Sequence, residues 1–286
     1  MKTALARISI LLFCAVLSSA AKKETKTFYG YVDTSICARL MLGPVTAERV
    51  ACSENTRKQG NEPVLVRLQD NTVFEIRNKK TVKKLAGQTV KVTGEVNEKN
   101  GKIKIATVEA APTNSIPKDE TGGLLDVRNY RTSGQNRIYE QIRHTLAMMP
   151  YISEFDFIAF SMVGNDVILT GWTIRITNRD AAYRRVKSIE GVGKIINNIE
   201  VLQLGSMDMQ IRAAARAVLQ QSIPMYFWGN GSDIKIIVKN GDIILLGVVM
   251  RKADSDIAFI RCNSIPGVFH VYNLLRVQPG KTKKKG

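Results

Sequence analysis

Apolar positions in the second half of the chain follow the period of a helix and then that of a strand, and they do so twice. Apolar side chains recur every four residues over 138–146, which predicts one face of a helix, and they alternate over 158–162, which predicts a half-buried strand. A hairpin turn, a return strand, a second helix and a last strand follow. These elements are carried in turn by Ile138, Ile142 and Leu146; Ile158, Phe160 and Met162; Gly164-Asn165; Val167–Gly171; Ala182, Val186 and Ile189; and Ile195–Val201.

The same order of elements recurs 76 residues later, which indicates an internal duplication. Residues 158–201 match residues 234–277 with 15 identities in 44 positions, and the first helix of the second copy lies on Ile211, Ala215 and Leu219. We define module 1 as residues 134–203 and module 2 as residues 204–278. Four glycines recur in equivalent positions, where we expect them to satisfy turn and cap geometry: Gly171, Gly191, Gly247 and Gly267.

Several short motifs of this repeat resemble the BON family. They are Asp-Val-Ile-Leu-Thr-Gly at 166–171, Asp-Ala-Ala at 180–182, Ile-Glu-Gly-Val at 189–192 and Asn-Asn-Ile-Glu-Val at 197–201. The resemblance implies two tandem αββαβ modules in an exported envelope protein, with phospholipid binding, outer-membrane integrity and osmotic stress as the associated functions. The second copy departs from the first by carrying Leu246 and Val248 where module 1 has Thr170 and Trp172, and we expect this to change only surface chemistry.

The first half of the chain has the pattern of a small β-barrel. Five strand-like segments and one short helix at Lys79–Leu85 predict an OB-like domain over residues 21–112. The predicted strands are Thr27–Val32, Val64–Leu68, Val73–Ile76, Thr89–Val96 and Lys102–Val108. The whole chain is therefore expected to be α+β, with this barrel ahead of the two modules and a Pro- and Gly-containing linker at 113–133 between them.

The aromatic content of the barrel argues against a nucleic-acid partner. Single-stranded nucleic acid needs aromatic stacking platforms between basic residues, and this domain offers few aromatics besides those expected to pack its wall. Four lysines cluster on the predicted short helix. A solvent-exposed face is the default interpretation, and a patch that binds anions is the alternative. Those lysines are Lys79, Lys80, Lys83 and Lys84.

The cysteines are best explained by export and one disulfide. Cys37 and Cys52 are the two cysteines of the barrel domain, and an oxidising compartment favours a bond between them that pins a long connection with few strand signals. Cys262 is equivalent to Val186 on a buried stripe, so we expect a small core residue. A metal role for the cysteines lacks both the spacing and the neighbouring histidines.

The N-terminus has the features of a signal peptide over residues 1–20. A basic start precedes a ten-residue apolar run, Ile8–Leu17, and small residues follow it. A lipoprotein anchor at Cys14 is the rival interpretation, and Phe13 disfavours it because that processing site needs a small residue. No later segment reaches the twenty apolar residues that a membrane-spanning helix needs. We therefore expect a periplasmic protein, with secretion as the alternative.

Charge points to an anionic partner. The chain of 286 residues has a formal net charge of +17, and the excess lies at its two ends: residues 21–112 and 204–286 each carry +7, whereas residues 113–203 carry +1. Catalytic motifs are absent from the sequence, and His144 and His270 are too few for a histidine metal cluster. The expected function is non-catalytic binding of an anionic phospholipid surface without cofactor or metal; a protein–protein scaffold or an anionic-glycan module is the alternative. Oligomeric state stays open.

Module 2 is the expected membrane-binding part. Its distinctive insertion, Ile223–Gly231, contains an apolar run that the strand pattern does not need, and tyrosine and tryptophan suit a membrane–water interface. Alternatively, these aromatics fold back onto the sheet or onto the other module. The candidate lipid-binding residues are Arg212, Arg216, Tyr226, Phe227 and Trp228, together with Lys281, Lys283, Lys284 and Lys285 of a basic tail, residues 279–286, that we expect to be disordered.

Overall fold

The computed structural model describes residues 24–41, 45–117, 133–228 and 232–278. The predicted signal peptide, most of the predicted linker and the basic tail lie outside these residues.

A closed five-stranded barrel forms the first domain, as predicted. The strands close in the order β1-β2-β3-β5-β4, with β3 and β5 parallel and the other neighbours antiparallel. A 3₁₀ helix, Lys79–Leu85, lies between β3 and β4. The strand bounds are β1 Glu24–Thr34, β2 Pro63–Arg67, β3 Val73–Ile76, β4 Thr89–Asn97 and β5 Lys102–Ala110.

The connection between β1 and β2, where the sequence shows few strand signals and predicts no element, contains two helices. Helix α1 spans Ser35–Leu40 and helix α2 spans Ala47–Lys58. The predicted disulfide is confirmed: Cys37 of α1 is bonded to Cys52 of α2, with Cα atoms 6.0 Å apart. A buried ion pair joins Arg49 Nε of α2 to Asp33 Oδ2 of β1 at 2.8 Å. Disulfide and ion pair together fix both helices to the barrel.

Each module has the predicted αββαβ order. Module 1 consists of α3 Ser133–Ala147, β6 Phe157–Val163, β7 Asp166–Thr173, α4 Ile176–Lys187 and β8 Ile195–Val201. Module 2 consists of α5 Ser206–Ser222, β9 Ile234–Lys239, β10 Asp242–Val249, α6 Lys252–Asn263 and β11 His270–Val277. The middle strand of each sheet pairs antiparallel with the strand before it and parallel with the strand after the second helix.

Two of the repeated glycines lie in the middle strands, where a side chain does not fit. Gly171 has φ of +117°, and a Cβ there would lie 2.0 Å from the carbonyl oxygen of Phe157. Gly247 has φ of +124° and an equivalent clash at 2.0 Å with the carbonyl oxygen of Asp233. The duplication has therefore kept a glycine-dependent approach of neighbouring strands.

Each module has one three-stranded sheet. The inner face of the sheet is buried under the helices of the same module, and the outer face is buried against the other domains. The outer faces meet in a cluster to which the barrel, module 1 and module 2 all contribute. We call this the junction cluster; its buried members are Ile36, Trp172, Leu202, Ile237, Ile244, Leu246 and Tyr272. The expectation that the differences at Thr170, Trp172 and Leu246 affect only surface chemistry is wrong, because all three residues are buried.

Helix α1 is one of the parts of the barrel that reach this junction. Ile36 belongs to the junction cluster, whereas Ala38 packs with Ile168 of β7. The backbone carbonyl of Arg39 accepts a hydrogen bond from Thr170 Oγ1 at 2.6 Å. The helix therefore contacts the outer sheet faces through its side chains and its backbone.

Candidate functional site

The face that OB-type barrels use for ligands is covered in this protein. Such barrels bind oligonucleotides and oligosaccharides on strands 2 and 3 and on the loop between strands 1 and 2. Here Val64 and Val66 of β2 pack against Ile168 of module 1, and the connection between β1 and β2 supplies α1 to the junction. The barrel's usual binding face is thus an intramolecular interface.

A cavity of about 380 Å³ lies at the junction of the three domains, between α1, β7 and the start of β10 and β11. Close to it, Glu200 of module 1 forms ion pairs with Arg39 of the barrel at 3.1 Å and with Lys239 of module 2 at 2.6 Å. His270 Nδ1 lies 3.0 Å from Asp242 Oδ1. Glu200 is thus paired with Arg39 and Lys239, and Asp242 contacts His270, so structural contacts are sufficient to explain these groups.

Two residues of the predicted lipid-binding set are buried, which corrects the expectation that they meet a membrane. Arg212 is 4% exposed, and its Nη2 donates to the carbonyl oxygen of Val238 at 2.7 Å; burial lowers the pKa of its guanidinium. Tyr226 is 2% exposed. Its hydroxyl donates to Asp254 Oδ2 at 2.7 Å and accepts the Met250 N–H at 2.8 Å.

The other predicted residues divide between packing and surface. Phe227 packs against the module 2 core at the end of a 3₁₀ helix, Pro224–Phe227. Arg216 is half exposed and pairs with Glu154 of module 1 at 2.9 Å. Trp228 is 72% exposed. The four tail lysines lie outside the described residues. For Tyr226 the fold-back alternative holds, and Trp228 is the aromatic of the insertion that faces solvent.

Trp228 lies at one end of module 2, beside the connection from β10 to α6. The Tyr226 hydroxyl ties the two segments together, because it bonds both Asp254 of α6 and the backbone of Met250. That hydrogen bond is also the main reason why the pKa of Asp254 lies below its usual range. Exposed apolar and basic side chains meet at this end. We name them tip 2, which consists of Trp228, Met250, Arg251 and Lys252.

The last described strand also ends at tip 2. The backbone N–H of Gln278 donates to the carbonyl oxygen of Val249 at 2.8 Å, one residue before Met250. The chain continues from there into residues 279–286, which contain four lysines. The basic segment is therefore attached next to the exposed apolar residues.

Comparison with known families settles the class of the two modules. The model of the BON domain matches residues 135–203 and 208–279. The chain carries two BON domains. The sequence-based resemblance and the α+β architecture of a barrel followed by two such modules are confirmed.

Solved structures of CdsD, a structural protein of the type III secretion system of Chlamydia trachomatis, are also similar to part of the chain. One, of the CdsD C-terminal domain, is 12% identical and covers 49% of this chain and 96% of its own, with a TM-score of 0.22. Another is 10% identical and covers 51% of this chain and 94% of its own, with a TM-score of 0.21. A search among curated proteins gave no match.

The two BON domains differ in how much apolar side chain they expose. Fourteen large apolar residues are exposed in the described chain: eleven in module 2, three in module 1 and none in the described part of the barrel. Scattered exposed apolar residues are normal on a soluble protein, and their larger number on module 2 is a feature in which the two copies differ. Sequence periodicity missed this because it finds buried stripes and not what lies outside them.

One of these residues, Phe269, lies at the opposite end of module 2. Phe269 is 65% exposed and lies over Gly241 in the β9–β10 turn. Asp208 of α5 accepts hydrogen bonds from the N–H groups of Asn240 and Gly241 in that turn. The six residues of β9 separate this end from tip 2, a distance of roughly 20 Å.

The described residues hold neither a metal-binding group nor a membrane-spanning helix. In the four described ranges, His, Cys, Asp and Glu do not come together in groups of three or more that could hold a metal ion. Among the same residues, no helix is both long and apolar enough to cross a membrane. Cys262 is buried, and burial raises the pKa of its thiol to about 12, so its chemistry is that of a core residue.

Proposed function

We propose that this protein is an exported, non-catalytic envelope protein that binds anionic phospholipid surfaces through module 2 and so contributes to envelope integrity or osmotic-stress tolerance. The BON domains suggest a phospholipid- or envelope-associated role, and they belong to a non-catalytic family. The disulfide fits an exported protein, because such bonds persist in oxidising compartments.

The observation that carries the proposal is the composition of tip 2. Trp228 and Met250 expose apolar side chains at the end of module 2 where Gln278 lies, the residue that precedes the lysine-containing segment 279–286 in sequence. Tryptophan prefers the headgroup level of a bilayer, and each lysine near an anionic leaflet adds about 1 kcal/mol of attraction. Because stable attachment to a bilayer generally takes two signals, we expect the exposed apolar residues and the lysines to act together.

Co-sedimentation with vesicles tests this function. Full-length mature protein is mixed with vesicles of pure phosphatidylcholine and with vesicles of equal parts phosphatidylglycerol and phosphatidylcholine. We expect binding to the anionic vesicles only, weakened by high salt because screening shortens the reach of the lysines. Trp228→Ser should weaken binding, and Phe269→Ser, an equally exposed aromatic at the other end of module 2, should not.

The emission of Trp228 gives a second readout. It is the exposed one of the two tryptophans, since Trp172 is buried at the junction. Contact with lipid should shift the emission of the wild type to shorter wavelength and leave the emission of the Trp228→Phe variant unchanged. Absence of binding to both kinds of vesicle contradicts the proposal and favours a protein partner for the same surface.

A further inference from the structure

We propose that module 1 carries a second membrane contact, equivalent to tip 2 by the internal duplication, and that both tips engage the same anionic bilayer. This rests on the proposed function and extends it to a module with almost no net charge. We name the second contact tip 1; it consists of Met148, Tyr151, Arg175 and Ile176.

The two tips occupy the same place in the repeat. Tyr151 lies in the connection from α3 to β6, as Trp228 lies in the connection from α5 to β9. Arg175, just before α4, is identical in the repeat to Arg251, just before α6. In module 1, Asn178 Nδ2 of α4 bonds the carbonyl oxygen of Tyr151 at 3.2 Å, which ties the two connections together as the Tyr226 hydroxyl does in module 2.

Exposed apolar side chain in module 1 is confined to this tip. Met148, Tyr151 and Ile176 are the three exposed large apolar residues in the described part of module 1, and Tyr151 is 79% exposed. Met148 and Tyr151 lie in the connection from α3 to β6, and Ile176 is the first residue of α4, next to Arg175. Such confinement is hard to reconcile with a random scatter of surface apolar residues.

The backbone of Tyr151 gives an independent indication. Its φ is +63°, in the left-handed region that a bulky residue adopts only at a cost and that glycine adopts freely. The fold does not recover that cost by burying the ring, because the ring faces solvent. A strained residue with an exposed aromatic side chain is typical of a functional position.

The contacts between the modules place the two tips at the same end of the pair. Lys235 Nζ of β9 donates to the carbonyl oxygen of Ser153 at 3.1 Å, and the N–H of Ile236 donates to the carbonyl oxygen of Glu154 at 2.7 Å. The tip 1 connection therefore lies along the start of β9, the strand that directly follows the Trp228 connection.

A bilayer is the occupant that fits both tips at once. Tyrosine and tryptophan prefer its interface, and arginine and lysine beside them meet anionic headgroups. Two linked contacts bind a continuous surface with a high effective concentration for the second contact, so each tip can be weak alone.

Four variants of the full-length mature protein test the proposal: Tyr151→Gly, Met148→Ser, Trp228→Ser and, as control, Phe269→Ser. Each is titrated with vesicles of equal parts phosphatidylglycerol and phosphatidylcholine, and its melting temperature is measured. Tyr151→Gly should weaken binding about tenfold, the factor expected for losing partial burial of one aromatic ring. Because glycine suits the φ of this position, its melting temperature should stay equal or rise.

Met148→Ser should weaken binding in the same direction without touching the strained backbone, and Phe269→Ser should bind as the wild type does. If the wild type binds neither the mixed phosphatidylglycerol and phosphatidylcholine vesicles nor pure phosphatidylcholine vesicles, the proposed function itself is refuted. Wild-type binding that Trp228→Ser weakens and both tip 1 variants leave unchanged overturns only the second contact. Equal weakening by Phe269→Ser also overturns it, because the effect would then follow any exposed aromatic.

Discussion

Shortening Ile36 to alanine should loosen the docking of the three domains while leaving each domain folded. Ile36 is almost fully buried, and its neighbours in the junction cluster come from both BON domains. Removing buried methyl groups from isoleucine costs about 2–5 kcal/mol, through lost transfer free energy and the cavity left behind. Since the other buried members of the cluster lie in the BON domains, that loss falls mainly on the interface between domains.

The protein contains its own reporter for this experiment. Trp172 is 2% exposed and belongs to the junction cluster, and Trp228 is the only other tryptophan of the chain. In a Trp228→Phe background, tryptophan emission reports the junction alone, while far-ultraviolet circular dichroism reports all secondary structure. Urea unfolding of this background should give coincident transitions for the two probes, because a large apolar interface couples the domains.

With Ile36→Ala added, the Trp172 emission should change at lower urea than the circular dichroism. Ile103→Ala is the matched control, since Ile103 is equally buried but lies in the barrel's own core. Ile103→Ala should destabilise the barrel by a similar amount. The Trp172 emission of this variant should not change at lower urea than the unfolding of the two modules. If Ile36→Ala shifts both probes together, or shifts neither by as much as ~0.5 kcal/mol, the junction does not depend on α1.

Three further changes test the local structure. Replacing Cys37 and Cys52 with serine removes a cross-link over a separation of 15 residues, for which loop closure predicts a loss of about 3 kcal/mol in urea unfolding. Asp254 has a lowered pKa, so its stabilising effect should be complete above about pH 4 and vanish as pH falls through the folded-state pKa; Asp254→Asn should remove that part of the acid sensitivity of the melting temperature. Gly247→Ala should lower the melting temperature strongly, because its Cβ would lie 2.0 Å from a backbone oxygen, whereas Gly205→Ala has open space and should not.

The sequence was sufficient to predict the helices and strands that bury one regular stripe of apolar side chains. Both modules and all five barrel strands show such stripes, and the structure contains them. Helix α2 was missed because it has no apolar stripe to detect; a disulfide and the buried Arg49–Asp33 ion pair hold it instead. Pairings between residues distant in the chain leave little periodic signal, so only the cysteine pair was visible beforehand.

The outer sheet faces were misjudged for a related reason. Alternation identifies which face of a strand is buried by its own helices, and the other face is then taken as exposed. The runs Val167–Leu169 and Ile243–Leu246 are continuously apolar, a pattern typical of strands buried on both faces. Continuity was thus the available signal for a partner domain, although it does not identify the partner.

The candidate site was only partly predictable for a different reason. An apolar run in a loop has the same composition whether it packs or faces solvent, and within Pro224–Trp228 the chain does both. Tyr226 is buried because its hydroxyl finds two partners, and such partners come from segments distant in sequence. Tip 1 could not be predicted from composition, because the left-handed backbone conformation of Tyr151 has no counterpart in the amino-acid sequence.

The barrel accounts for where the two copies of the repeat have diverged. Inner-face positions face the same kind of core in both modules and have stayed alike, whereas outer-face positions meet different neighbours. Thr170 of module 1 bonds the backbone of Arg39 in α1, and its counterpart Leu246 fills the apolar junction. Trp172 lies buried at that junction, whereas its counterpart Val248 is exposed. A duplicated pair alone would be expected to keep these faces equivalent. Docking of α1 against both outer faces gives the two copies different neighbours there, which accounts for the divergence of Thr170 and Leu246.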